Sequence, residues 1–146
     1  FLLAGGSAVA TGRGERLSSV RLPPLHVVIV KPPVGLSTPR VYAACQARAT
    51  ATGPDALLQL LVAGRAALAA QHLVNDLQPP AAHLTPWIEK LRQEFGRQPV
   101  LGHQMSGSGS SYFALCRSAR QARRLAATLR ARNIGWVSYA TTEVSI

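Results

Sequence analysis

This sequence is poor in four things, and each shortage closes a class of explanation. Cysteine occurs only at Cys45 and Cys116. Two thiols in apolar surroundings form neither a disulfide framework nor a metal site, so reduced, buried thiols in a cytoplasmic protein are expected. Acidic residues number 6 against 16 basic ones. Aromatic residues make up 5%, too few to interleave with the basic residues as stacking platforms for a single-stranded nucleic acid. No apolar run approaches the roughly 20 residues that cross a bilayer, which argues against a membrane partner. The histidines His26, His72, His83 and His103 lack metal-ligand spacing, and no metal site is assigned to them.

What is present describes a folded chain. With 146 residues, of which 47% are hydrophobic and 15% charged, a real core can form. The net charge of +10 comes almost entirely from arginine, since Lys31 and Lys90 are the sole lysines. Such a balance invites a nucleic-acid reading. Against it, the arginines are scattered from Arg13 to Arg132. In the richest stretch Ala119, Ala122, Leu125, Ala126 and Leu129 share one helical face, which leaves Arg120, Arg123, Arg124 and Arg130 on the solvated one. No specific nucleic-acid partner is expected, and attraction of anionic small molecules is a by-product of the charge.

Along the chain, residues 1–20 carry short strand-like runs around a turn at Gly12-Arg13-Gly14-Glu15. The apolar opening at Phe1 reads as strand interior and lacks the charged start of a secretory signal. The expectation is a chain that is part of a longer protein. His26–Val30 is a continuous β-branched run, expected to be a buried central strand. Ser37 and Thr38 precede Pro39 as at a helix start, with Ser37 as the cap. Asp55 is placed to cap a longer helix with apolar positions Leu57, Leu58, Leu60, Leu61 and Leu68. Asn75-Asp76 opens another segment, interrupted at Pro79-Pro80. Leu84, Trp87, Ile88, Leu91 and Phe95 fall on one helical face. A strand from Val100-Leu101, a paired strand over Tyr112–Cys116, a helix over 118–132 and a strand over Trp136–Thr142 complete the pattern. From His26 onward this is the split βαβ order with extra helices in the first crossover.

The densest signal is Ser106-Gly107-Ser108-Gly109, continued by Ser110 and Ser111 into the strand at Tyr112. Two readings fit it. Glycine and serine are ordinary turn residues, and a row of unshielded N–H groups can also cradle an anion.

Three further segments join that loop: Gly5-Gly6-Ser7-Ala8-Val9-Ala10-Thr11-Gly12, then Lys31-Pro32-Pro33-Val34-Gly35-Leu36-Ser37-Thr38-Pro39-Arg40-Val41-Tyr42, then Asn75-Asp76-Leu77. In this order and spacing the chain resembles the C-terminal portion of the 4-diphosphocytidyl-2-C-methyl-D-erythritol kinases, a family of the GHMP kinase superfamily. The resemblance covers essentially the whole chain. The Pro-Pro-Val-Gly-Leu-Ser-Thr-Pro segment is specific to that family, whereas the Ser-Gly-Ser-Gly loop is shared across the superfamily.

The resemblance implies an α+β fold, with a ferredoxin-like antiparallel sheet and helices on one side, over residues 25–146. Residues 1–24 would be the last hairpin of an N-terminal, ATP-binding domain. It implies transfer of the γ-phosphoryl of ATP, with magnesium, to the 2-hydroxyl of a cytidine diphosphate derivative in isoprenoid biosynthesis. It places Tyr42 against the cytosine, with Thr38 and Pro39 lining the same pocket. Ser106, Gly107, Ser108 and Gly109 would border the phosphate region. The family's catalytic aspartate and lysine would lie before Phe1, in a missing N-terminal part of the same protein, so no catalytic residue is assigned. Asp55 and Asp76 fall elsewhere in the pattern, and Asn75-Asp76 is read as structural capping. The rival readings are a free-standing ferredoxin-like module, binding RNA through its arginines without catalysis, and a GHMP kinase for another alcohol. The ring at Tyr42 argues against the latter.

Overall fold

The computed structural model describes residues 6–12, 14–45 and 53–142. Phe1 and the glycine-rich start before Gly6 lie outside the described residues, as does Arg13 within the first turn. Strands β1 (Ser7–Thr11) and β2 (Arg16–Val20) form an antiparallel hairpin. Its turn is closed by the Gly14 N–H donating to the Thr11 carbonyl at 3.1 Å. Gly12 and Gly14 both hold positive φ there, at 69° and 98°, which glycine adopts at little cost.

The second sheet has four strands, β3 (His26–Lys31), β4 (Gly102–Met105), β5 (Tyr112–Cys116) and β6 (Trp136–Thr141). Their spatial order is β4-β5-β3-β6, antiparallel throughout. The β-branched run at Val27–Val30 therefore occupies an inner strand, as its composition predicts. Leu101 already donates to Leu115 at 2.9 Å, just ahead of β4, and Thr142 donates to Leu25 just beyond β6.

Alternation along the strands decides what is covered. Val28, Val30, Tyr112, Ala114, Cys116 and Val137 point to one face. Helices α1 (Thr38–Ala44), α4 (Gln78–Leu84), α5 (Pro86–Gly96) and α6 (Ala119–Ala131) contribute to the core on that face. They do so through Val41, Ala81, Ile88, Leu91, Phe95, Ala122, Leu125, Ala126 and Leu129. Leu84 and Trp87 are half-buried at its margin. Ala119 is exposed, against the expectation that it faces the sheet, because it is the first residue of α6 and precedes the contact. A short 3₁₀ turn at Ala70–His72 adds cover on the opposite face. There a Cβ at Gly102 would stand 2.8 Å from the Ala70 Cβ.

Three local expectations are corrected. The helix from Asp55 is not long. It runs as α2 (Asp55–Val62), and α3 (Ala66–Ala69) follows separately. Gly64 at φ 71° takes the left-handed position that ends a helix. Pro54, not Asp55, occupies the cap position of α2, and no side chain caps it. Pro79-Pro80 does not interrupt a segment. The pair lies in the first turn of α4, where a missing N–H costs nothing. Ser37 sits at the cap position of α1, but its hydroxyl makes no capping bond. The thiols also differ from one another. Cys116 is buried while Cys45 is only partly so, and burial pushes the Cys116 thiol up to about 11.

Candidate functional site

The glycine loop is the connection between β4 and β5. The Ser106 N–H donates to the Ser111 carbonyl at 2.9 Å, and the Gly109 N–H donates back to Ser106 at 3.0 Å. Gly107 and Gly109 hold φ of 54° and 85°. The two glycines differ in purpose. A Cβ at Gly109 would lie 2.8 Å from Met105 Sδ and 3.0 Å from Leu36 Cδ1, so this glycine lets the loop lie down on the core. A Cβ at Gly107 would meet nothing within 4 Å; its backbone is open to an approaching group. Ser110 is buried, and its hydroxyl donates to the Val34 carbonyl. The N–H groups of Gly107 and Ser108 find no acceptor among the described residues.

The start of α1 meets the loop at its tip. Thr38 Oγ1 and Ser108 Oγ are 2.9 Å apart. Pro39 lies in the same first turn. Tyr42 follows Thr38 by four residues, so both project from one side of the helix, about 6 Å apart along its axis. Tyr42 is 59% exposed, a large side chain one turn along the helix from Thr38. The structure thus brings Thr38 against Ser108, 70 residues further along the chain; Pro39 and Tyr42 share the helix of Thr38, and no hydrogen bond or ring contact joins either of them to the loop among the described residues.

Asn75 is what the sequence reading missed. Leu77, not Asn75 or Asp76, stands at the cap position of α4. Asn75 Oδ1 does accept the Leu77 N–H at 3.0 Å, in the manner of an Asx turn. Its amide Nδ2 faces the other way and donates to the Met105 carbonyl at 2.8 Å and the Gly107 carbonyl at 2.9 Å. Gln78 adds a fourth bond, its Oε1 accepting the Met105 N–H at 2.9 Å. Cys45 Sγ lies 3.7 Å from the Asp76 carbonyl, tying the end of α1 to the same segment. The signal for this arrangement was an Asn before a helix whose cap lay two residues further on.

Behind the loop the core is aromatic. Tyr112 stacks on Phe95 with ring centroids 5.5 Å apart, and its hydroxyl is 3.1 Å from His103 Nδ1. Burial pushes the Tyr112 phenol up to about 12, with a hydrogen bond from Gln78 acting in the opposite direction. Burial also lowers His103, helped by the charge of Arg92. Both groups stay neutral near pH 7, so the wall behind the loop carries no charge of its own.

Arg120 and Arg124 lie elsewhere. β5 leaves the glycine loop and delivers the chain to α6 at the far end of the sheet. There Arg120 and Arg124, with Ser118, Gln121, Thr128 and Val100, line a cleft of about 440 Å³. Arg120, Arg123, Arg124 and Arg130 are exposed, as their helical positions predict. Arg130 is more than a solvated charge: its Nε and Nη2 donate to the Val137 carbonyl at 3.1 and 3.0 Å.

The fold and this loop define a class. Residues 57–135 match the family described as GHMP kinases C terminal, and the chain belongs to that family. Within it, the chain is similar in sequence to kinases of one name. The chain is 42% identical over 136 residues to a 4-diphosphocytidyl-2-C-methyl-D-erythritol kinase of Thermobifida fusca, covering 90% of this chain and 44% of the relative. It is 38% identical over 133 residues to the enzyme of that name in Pelotomaculum thermopropionicum, covering 89% and 46%. The chain spans about half the length of the curated relatives it matches. A crystal structure of 4-(cytidine 5'-diphospho)-2C-methyl-D-erythritol kinase superposes with a TM-score of 0.80 at 35% identity, over 98% of this chain and 52% of that one. A homoserine kinase from Cytophaga hutchinsonii superposes at 0.75 with 21% identity, over 97% and 49%, and shares the fold.

Proposed function

We propose that this chain is the C-terminal portion of a kinase that transfers the γ-phosphoryl of ATP to the 2-hydroxyl of 4-diphosphocytidyl-2-C-methyl-D-erythritol, a step of non-mevalonate isoprenoid biosynthesis in the cytoplasm. The observation that carries this reading is the Thr38–Ser108 hydrogen bond. It ties the loop with free N–H groups to the first turn of the helix that carries the exposed Tyr42 one turn further on, which supports placing the two in one site. A base stacks on an aromatic face for about 1–3 kcal/mol, which suits Tyr42 to the cytosine. Free N–H groups suit an anionic oxygen, which suits Gly107 and Ser108 to the phosphate region. Thr38 and Pro39 would wall the space between.

Phosphoryl transfer depends on positioning and charge neutralisation. In this reading the half described by these residues positions the acceptor. The base, its lysine and the ATP loop belong to an N-terminal half, of which residues 1–24 are the last hairpin and 25–146 the following domain. Magnesium would neutralise the phosphates. The described residues offer no group of three His, Cys, Asp or Glu side chains to hold it, so no step is assigned to it here. No helix among the described residues is long and apolar enough to cross a membrane.

The test is turnover. Full-length protein given the cytidylyl substrate, ATP and magnesium should release one ADP for each new phosphomonoester seen by phosphorus NMR. The 146-residue chain alone should give none above background. Phosphorylation of homoserine or mevalonate in preference to the cytidylyl substrate would overturn the substrate assignment.

A further inference from the structure

We infer that Asn75 is a positioning residue for the phosphoryl-transfer site: its amide holds the glycine loop in the one shape that turns the Ser108 N–H group toward a bound anion. This rests on the kinase reading above. Asn75 is not part of β4, β5 or the loop. It arrives from the segment before α4, 30 residues earlier than Met105. One NH₂ group supplies both donations, to Met105 at the loop's first edge and to Gly107 near its tip. An amide has two N–H groups and is planar, so two carbonyls accepting from it cannot move independently. Fixing the Gly107 carbonyl fixes the orientation of the peptide joining Gly107 to Ser108, and with it the Ser108 N–H.

Nothing else does this. Gly107 is exposed at φ 54°, and nothing lies within 4 Å of where a Cβ would stand. The Thr38–Ser108 bond joins two hydroxyls, and a hydroxyl rotates. The Gly109-to-Ser106 bond closes the turn but leaves the Gly107 carbonyl free. Preorganised N–H groups act in a transition state only when they need not reorient as charge develops. The same asparagine also receives the Leu77 N–H and so locks the approach to α4. Through the Cys45 Sγ contact at Asp76 the segment adjoins α1, which carries Tyr42. Asn75 therefore stands between the two parts of the site.

The two roles of Asn75 can be separated chemically. Asn75→Asp keeps an acceptor for the Leu77 N–H and keeps the size. It replaces the donor with an oxygen facing two carbonyls. Were Asn75 only a turn residue, the aspartate would serve as well. In the full-length protein the expected result is a fall in kcat of about tenfold to a hundredfold, the consequence of leaving both carbonyls without their donor. KM for the cytidylyl substrate should change by less than about threefold, because the Tyr42 face is untouched. Hydrogen exchange in the segment 103–112 should accelerate while β3 and β6 stay protected. Asn75→Ala, which adds no charge, should show the same loss and stands in if the aspartate variant fails to fold. Wild-type kcat with wild-type loop exchange in either variant would overturn the assignment. A parent protein without turnover would sink the kinase reading instead. In that case unchanged loop exchange in the variants would still overturn the role of Asn75.

Discussion

The two ends of the four-stranded sheet are built on opposite plans. At the glycine-loop end, neutral side chains spend their hydrogen bonds on distant segments: Thr38 on Ser108, Asn75 on Met105 and Gly107, Ser110 on Val34. At the end where α6 begins, charge is denser, and the long-range bonds there, Gln121 to Pro99, His26 to Thr141 and Leu25 to Thr142, do not converge on one loop. Ser118 accepts the Gln121 N–H, Gln121 accepts the Arg117 N–H, and Arg120 and Arg124 extend into solvent. Charge density marks a surface; converging long-range bonds between neutral groups mark a constructed site. A chain of net charge +10 draws the eye to the arginines, whereas the proposed site lies at the loop end. The N–H-lined end is the one whose geometry has been fixed at an entropic cost, since ordering loops and side chains is expensive.

The comparison is broken most severely at Gly109. Gly109→Val should lower stability by about 2 kcal/mol or more, from overpacking on Met105 and Leu36 and from strain at φ 85°. Activity should disappear with it. Gly107→Ala is the sharper instrument. Its Cβ meets nothing, so the stability loss should be only the left-handed strain at φ 54°, about 1–2 kcal/mol, and the full-length enzyme should still lose most of its turnover. Thermal unfolding and turnover measured on both variants separate the two glycines. A Gly107→Ala enzyme with wild-type turnover would reduce the loop to a hairpin connection.

A smaller effect is expected at Tyr42. Removing an exposed ring changes little in the core, so Tyr42→Ala should unfold at nearly the parent temperature. KM for the cytidylyl substrate should rise about tenfold to a hundredfold, the equivalent of about 1–3 kcal/mol of stacking, with KM for ATP unchanged. Tyr42→Phe keeps the face and should stay within about threefold. An unchanged substrate KM in Tyr42→Ala would remove the ring from the site and leave the loop end without a base-binding element.

How much of this was legible in the sequence follows from what each feature depends on. β3 and the buried face of α6 were readable because periodicity is local: Val27–Val30 and Ala122, Leu125, Ala126 and Leu129 carry their burial in their spacing. The order of strands followed from the split βαβ pattern. The break after Val62 was readable too, in Gly64, but the leucines on either side outweighed it. Pro79-Pro80 was misread because a proline pair begins a helix as readily as it ends one, and the deciding fact is where the preceding turn closes. The residue lists for the loop and for α1 came from motif, and their meeting at Thr38 and Ser108 is purely tertiary. Asn75 was the hardest. Its side chain satisfies a local turn with one atom and a distant loop with the other, and only the local half leaves a trace in the neighbouring residues.

The smallest effect is expected along the arginine face of α6, where the comparison can also be overturned. Arg120, Arg123 and Arg124 are exposed, their guanidinium groups make no hydrogen bond among the described residues, and they sit in the first two turns of α6. Isolated surface charges contribute little to stability, so replacing all three with glutamine should shift unfolding by less than about 1 kcal/mol. Arg130→Gln should cost about 1 kcal/mol by itself, because it forfeits both donations to the Val137 carbonyl on β6. Neither variant should change turnover of the full-length enzyme at near-physiological salt by more than about twofold. At low salt the triple variant should lose some of its kcat/KM for these anionic substrates, because long-range attraction is what screening removes. Nucleic acid provides the opposing arm. A basic chain binds any polyanion weakly when salt is low, so the informative titration compares structured RNA, single-stranded RNA and duplex DNA at physiological salt. Tight, selective binding to one of them, abolished in the triple variant, would make the α6 cleft a site in its own right, and converging long-range bonds would then no longer distinguish the two ends. Weak binding to all three, equal in parent and variant, leaves the arginines as a charged coat and the glycine-loop end as the place where the chain meets its ligand.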